Sequence, residues 1–356
     1  MPREPAATLT GPHARAPRWV VAGCGLIATL ILSEAIARLE GPVVCASDTA
    51  VLLAADPEVG WTFVPGLTVA VQGCSPDRGE KAWPMTVSIN REGLADQEWP
   101  FAKRPGEVRI VVLGNERADG VGLDRADRLS VRFSHLADRV RGARVSGINA
   151  AIPGYTPREA LRWLVRRGVR YSPDVVVLLL DPVRDLAASI DPPRIEPVPA
   201  TDPPASGLLS WAVPARRVDG APATPPAGAV RIGEPRALAS PDERQRARER
   251  TVATIAEIAA AARDAGATLA VAVAPPCPAV PYETDLCDAI AAVAPCADLA
   301  SAFEEVRRSR GDDAELCVAG TGRWGRDAHF VASHRIWSLL EERSLWPTAV
   351  RRGYRL

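Results

Sequence analysis

The stretch Arg109-Ile-Val-Val-Leu-Gly-Asn-Glu-Arg-Ala-Asp-Gly-Val-Gly122 decides the architecture. The apolar run Val108–Leu113 reads as a strand buried on both faces. It runs straight into a loop bearing Gly114, and a helical segment follows over 127–141. Strands apolar on both faces belong in parallel sheets that helices cover on each side. The same alternation recurs downstream. Arg144–Ile148 is a second short strand, and Thr156-Pro157 opens a helix running to about Gly168. Asp174-Val-Val-Val-Leu-Leu-Leu180 is the clearest strand of the chain. Ser240-Pro-Asp-Glu243 joins an N-cap serine to a first-turn proline and a capping-box glutamate, so a helix starts there, reaches about Arg263 and stops at Gly266. Thr268–Ala274 and Cys296–Leu299 supply a fourth and a fifth strand, and Val331–Glu342 is an amphipathic closing helix. The expected fold is α/β: a flavodoxin-like, three-layer α/β/α domain with a parallel sheet over 105–343.

Around this domain the composition shifts. Residues 40–104 read as a small N-terminal extension, turn-rich at Asp56–Gly66 and strand-like at Met85–Ile89, with Trp61, Trp83 and Trp99 as its expected core. Prolines crowd 187–238, from Pro192 and Pro193 to Pro225 and Pro226, as expected of an irregular insertion. A short tail follows over 344–356. At the other end, Arg3, Arg15 and Arg18 in a tail over 1–18 precede an apolar run from Trp19 to Leu32. Continued through Arg38, the segment 19–38 is long enough for a transmembrane signal anchor. Its basic flank puts the N-terminus in the cytoplasm, and Ala35-Ile36-Ala37 offers a cleavage site as the alternative. The expected location is therefore the bacterial inner membrane, crossed once, with the C-terminal domain periplasmic or extracellular.

Cysteine usage fits export. Of the 7 cysteines, Cys24 lies in the apolar segment; Cys45, Cys74, Cys277, Cys287, Cys296 and Cys317 remain. Cys45 with Cys74 is the natural first pair, and the other four allow three pairings. A balance of 43 Lys and Arg against 43 Asp and Glu excludes a nucleic-acid-binding chain. No Cys-x-x-Cys pair suggests zinc, and neither a metal nor a cofactor is expected.

In open parallel sheets ligands bind at the carboxyl ends of the strands. Four segments qualify: Gly114-Asn115-Glu116, Asn149-Ala-Ala-Ile-Pro-Gly-Tyr155, Asp181-Pro-Val-Arg-Asp185, and Arg326-Asp327-Ala328-His329 ahead of the last helix. Together with Asn90-Arg-Glu-Gly-Leu94 and Pro173-Asp174, they resemble the membrane-anchored branch of the SGNH/GDSL hydrolases over most of 56–185 and 240–343. The resemblance implies acyl removal or transfer, often on envelope polysaccharides or lipids. It makes Asn149…Gly154 the block whose glycine N–H faces an oxyanion, and His329 the general base.

The departures fall on the catalytic positions. Glu116 stands where the family has its nucleophilic serine, Arg184 where it has an oxyanion asparagine, and Arg326 where it has the aspartate that orients the histidine. Asp327 is the candidate substitute for that aspartate. A carboxylate only accepts hydrogen bonds and is a poor acyl-transfer nucleophile, and losing the nucleophile removes most triad catalysis. Glu116, Arg184, Asp185, Arg326 and Asp327 then read as compensating ion pairs, Arg184 forming a bidentate pair with Glu116. The expected product is a catalytically degenerate envelope protein that binds or scaffolds, with an envelope polysaccharide or another envelope protein as partner. The enzymatic alternatives are a carbohydrate or lipid esterase or acetyltransferase, or a Glu116–His329 acid–base pair.

Overall fold

The computed structural model describes residues 26–32, 43–45, 52–72, 85–137, 144–198, 228–277, 279–283, 285–311, 314–318 and 321–347. Five short strands come first: β1 (Val43–Cys45), β2 (Leu53–Asp56), β3 (Gly60–Phe63), β4 (Thr68–Gln72) and β5 (Met85–Ser88). β2 and β3 form an antiparallel hairpin, and β1, β4 and β5 a small mixed sheet. The main sheet takes β6 (Glu107–Leu113), β7 (Arg144–Asn149), β8 (Val175–Leu180), β11 (Thr268–Val273) and β12 (Cys296–Asp298), with β9 (Ile195–Pro197) and β10 (Val230–Ile232) paired apart from it. Among the described residues the helices of the domain are α1 (Leu129–Ala137), α2 (Pro157–Arg166), α3 (Arg184–Ile190), α4 (Pro241–Asp264), α5 (Leu286–Ile290), α6 (Ala300–Arg310) and α7 (Arg326–Glu342).

The main sheet runs β12-β11-β8-β6-β7 with every pair parallel. In order of appearance this is 2-1-3-4-5, the doubly wound flavodoxin arrangement. Alternation along the strands sorts the core into two layers. Val111, Leu113, Val176 and Leu178 meet Trp163 of α2 and Ile255 and Ile258 of α4. Ile110, Val112, Val175 and Val177 meet Phe133 of α1 and Ile336 and Leu340 of α7. At Gly147 α1 rides so close to β7 that a Cβ would sit 1.9 Å from the Ser130 carbonyl oxygen. The helix starts expected from caps are present: Thr156 and Glu159 form a capping box on α2, and Ser240 Oγ accepts the Glu243 N–H at 3.1 Å on α4.

Several expectations change. The last helix begins at Arg326, five residues before the expected Val331, so His329 lies inside it. The tryptophans of the extension do not form a core of their own: Trp61 joins Leu53, Phe63 and Val87 in the layer beneath α2 and α4. Its indole N–H donates to Pro153 O at 2.9 Å, while Tyr155 Oη donates to Trp61 O at 2.7 Å. Trp83 lies outside the described residues. The Pro-rich stretch is regular at both ends, α3 reaching Ile190 and β9 pairing with β10, while 199–227 lie outside the described residues. The four C-terminal cysteines pair as Cys277–Cys317 and Cys287–Cys296; Cys74 lies outside the described residues. Of the segment 19–38, residues 26–32 are described, as helix with exposed side chains, and no helix among the described residues is long and apolar enough to cross a membrane.

The amino end of β6 carries the charge that joins the extension to the sheet. Arg109 is fully buried. Its guanidinium donates to the carbonyls of Phe101 at 2.8 Å, Ala102 at 3.0 Å and Tyr171 at 3.0 Å, and pairs with Glu107 at 3.2 Å. Its backbone N–H donates to Asp174, which also holds Lys103 at 2.7 Å. Removing one partner of a buried ionic cluster leaves the rest uncompensated and costs about 3–5 kcal/mol. Arg109→Ala is therefore expected to lower stability by about that amount in urea unfolding followed by circular dichroism. A loss below about 1 kcal/mol would contradict the role given to this side chain.

Candidate functional site

Because β7 lies outside β6, chain direction across the sheet reverses between β6 and β8, and the crevice of a doubly wound sheet opens there. The loops after both strands reach this point. Gly114 turns the chain at φ +152°, where a Cβ would crowd Ala118 and Leu179 at 3.2 Å. Asn115 Oδ1 then accepts the Arg117 N–H at 3.1 Å, and Asn115 O accepts from Ala118 and Asp119. This tight turn presents Glu116, half-buried, to the crevice.

The Glu116 carboxylate meets the loop after β7: Gly154, at φ +82°, donates its N–H to Glu116 Oε2 at 3.0 Å. Burial works against the charge, but Arg184, Arg117 and this N–H outweigh it and hold the carboxyl below the ordinary glutamate value. Arg117 and Arg184 are themselves buried. Arg117 pairs with Asp181, whose other oxygen accepts the N–H groups of Val183 and Arg184 and so caps α3. Arg184 Nε donates to Glu234 at 3.0 Å. The expected bidentate pair between Arg184 and Glu116 does not form; Glu234 takes the guanidinium edge instead. Glu234 follows β10, and Ile232 of that strand covers Gly154 closely enough that a Cβ there would lie 2.8 Å from it. The returning end of the Pro-rich insertion thus lids the crevice.

A second buried pair backs the first. Asp119 is fully buried against the guanidinium of Arg323 and accepts the Val121 N–H at 2.9 Å. Burial pushes its carboxyl up to about 6 against the pull of Arg323. Asn149 belongs to this framework: its amide donates to Asp119 O at 2.7 Å, and its backbone N–H donates to Asp96 at 3.0 Å.

The histidine expected as base is engaged with a helix start. His329 is fully buried, and its Nδ1 accepts the N–H of Leu129, the first residue of α1, at 3.0 Å. A helix's first N–H groups lack partners within the helix, so the imidazole caps α1. Nδ1 being an acceptor, the proton sits on Nε2, which has no hydrogen-bond partner. Neither nitrogen meets Glu116, so the acid–base pair does not form. Asp327 does not orient the ring either. Two residues apart on a helix, Asp327 and His329 face different ways. The Asp327 carboxylate takes Arg310 at 2.6 Å and the Glu315 N–H at 2.8 Å. Arg326 pairs with Glu315 at 3.2 Å near the surface, so neither it nor Asp327 belongs to the strand-end cluster.

Four participants escaped the sequence reading. Arg117 and Asp119 lie within the opening stretch, where alternating charge after a buried strand was the available signal. Arg323 stands 204 residues from Asp119, and Glu234 follows the insertion; nothing local marks either. Among the described residues no group of three or more His, Cys, Asp or Glu side chains is placed to hold a metal ion.

No protein-family model and no curated protein matches the chain. Among solved structures it is similar to the psychrotrophic esterase EstA from Pseudoalteromonas sp., at 14% identity over 66% of this chain and 98% of that chain, TM-score 0.39. It is similar to a GDSL-like lipase from Bacteroides thetaiotaomicron at 13% identity, 66% and 88% coverage and TM-score 0.32. A mutant acetyl-xylooligosaccharide esterase from Geobacillus Stearmophilus gives 13% identity, 65% and 94% coverage and TM-score 0.40. Esterases and lipases are thus among the solved structures to which this chain is similar. The strand order described above stands independently of these likenesses.

Burial, with Arg128 and Arg132 nearby, lowers the His329 pKa to about 3. The unfolded chain's imidazole takes its proton near 6.5. Between those values the unfolded state binds more protons, so this residue's contribution to stability is present above about 6.5 and is lost as pH falls toward 3. In a long-range nitrogen–proton NMR titration His329 is expected to stay the neutral Nε2-protonated tautomer down to pH about 4. A midpoint near 7 would show an imidazole poised for proton transfer instead.

Proposed function

We propose that this chain is a hydrolase-fold protein of the SGNH/GDSL type whose strand-end site has been rebuilt from acyl transfer to binding. It acts as a binding or scaffolding component of the bacterial cell envelope, held at the inner membrane by residues 19–38. The observation that carries this reading is the bond from the Gly154 N–H to Glu116 Oε2. In an acyl-transfer site such an N–H must be free for the developing oxyanion. Here the chain's own carboxylate takes it, and the basic side chains that flank that carboxylate balance its charge. Triad chemistry also needs a base that can take the nucleophile's proton; with Nδ1 of His329 accepting from α1, its Nε2 already carries a proton and cannot accept another. The Cys277–Cys317 and Cys287–Cys296 bonds favour an oxidising compartment, as does the basic-then-apolar N-terminus.

Two measurements test the proposal. Purified wild-type protein is expected to hydrolyse p-nitrophenyl acetate no faster than buffer, and Glu116→Ser alone is expected to stay inactive. Wild-type turnover abolished by His329→Ala would overturn the reading. Stability discriminates independently. Removing a residue kept for catalysis often stabilises a fold, whereas removing a carboxylate that balances buried guanidinium groups destabilises it. Glu116→Ala is expected to cost about 3 kcal/mol in urea unfolding by exposing Arg117 and Arg184 to one another.

A further inference from the structure

At the amino ends of β6 and β8, opposite the crevice, apolar and basic side chains share one exposed surface. Phe101, 36% exposed, precedes β6; its ring lies 5.0 Å from that of Tyr171 and carries the Arg170 guanidinium 4.0 Å above it. Val165, 48% exposed, lies in the last turn of α2, and Val169, 37% exposed, in the single 3₁₀ turn Gly168–Tyr171 that leads toward β8. Arg104 and Arg166 are exposed at the same end. Isolated exposed apolar side chains are ordinary, but a group of them rimmed by charge marks a contact surface. The chain path says what lies opposite. β1 and β4 are parallel with Val43 beside Ala70, and Thr68 of β4 pairs with Ser88 of β5. The amino end of β1 therefore points toward the Thr68–Ser88 end of the small sheet. The loop that leaves β5 there reaches the exposed surface: the Glu92 carboxylate accepts from Arg170 at 3.5 Å and its carbonyl from Arg167 at 3.5 Å. Arg38 and Val43 are five residues apart in sequence, so they lie within about 17 Å of each other however the chain runs.

We infer that this surface rests on the anionic headgroups of the bilayer that holds residues 19–38, an inference that rests on the anchor proposed above. Phe101, Val165 and Val169 enter the headgroup boundary while Arg104 and Arg166 meet lipid phosphates, the combination by which interfacial elements bind anionic membranes. Tethering makes a small surface sufficient, because the anchor holds it beside the bilayer at high effective concentration. The 7 residues of β6 then carry the crevice about 23 Å away from the lipid. The crevice faces the aqueous side, and its partner is met there rather than among acyl chains.

The test reconstitutes the full chain into vesicles of phosphatidylcholine alone or mixed with phosphatidylglycerol, and reads side-chain exposure by hydroxyl-radical footprinting. Phe330, 46% exposed on α7, serves as the internal reference. Relative to Phe330, Phe101 is expected to be oxidised at least fivefold less in the mixed vesicles than in phosphatidylcholine. Arg104→Glu combined with Arg166→Glu, both exposed positions, is expected to abolish that difference while flotation and the circular dichroism spectrum stay as in wild type. Wild-type chain that fails to float with vesicles at alkaline pH would overturn the anchor and this inference with it. Chain that floats but shows equal Phe101 oxidation in both vesicles would overturn the inference alone. So would protection that survives the charge reversal, or protection that follows protein concentration at fixed lipid, which would assign the surface to a second copy.

Discussion

Charge carried into a sheet interior must meet opposite charge, and that constraint shapes both ends of β6. At the amino end Arg109 is fully buried and is compensated by Glu107 and three carbonyls, tying the extension to the domain. At the carboxyl end Glu116, Arg117, Asp181, Arg184 and Glu234 alternate in sign across the crevice, with Asp119 and Arg323 behind them. Taking a lone charge out of water costs several kcal/mol, so neither group of residues can change one member at a time. A carboxylate at position 116 is tolerable only with basic neighbours around it.

The same constraint explains what happened to the histidine. A fully buried imidazole with Arg128 and Arg132 nearby is held neutral. A neutral imidazole is a good acceptor, and the first N–H of α1 uses it. The residue that the loop pattern marks as a base caps α1 from within α7. Its burial serves the layer formed by Phe133, Trp324 and Ile336.

The lid over Gly154 gives the Pro-rich insertion a role in the fold. β9 and β10 bring Ile232 and Glu234 back over the crevice, and the bridge between Ala229 and Ala54 ties this lid to the β2–β3 hairpin. Extension, insertion and strand-end loops therefore form one continuous cover above β6 and β8.

Much of the fold was legible because its determinants are local. Apolar runs on both faces marked β6, β8 and β11 to within a residue or two, and capping residues marked α2 and α4. The start of α7 was missed because Gly325 ends the loop without a capping side chain, leaving no local sign of the turn. At the site, Glu116, Gly154 and Arg184 could be placed from their strand ends alone, since parallel topology gathers those ends. Asp327, Arg326 and His329 could not, because one more helical turn than expected rotates each to a different face. By itself the sequence determined the parallel layered domain and the placing of a carboxylate, Glu116, at the end of its first strand, both properties of short segments. Only the tertiary structure decided which charges meet: Asp119 finds Arg323 across 204 residues, and Arg184 finds Glu234 across 50. Pairing depends on distance in space, and no short-range pattern encodes that distance.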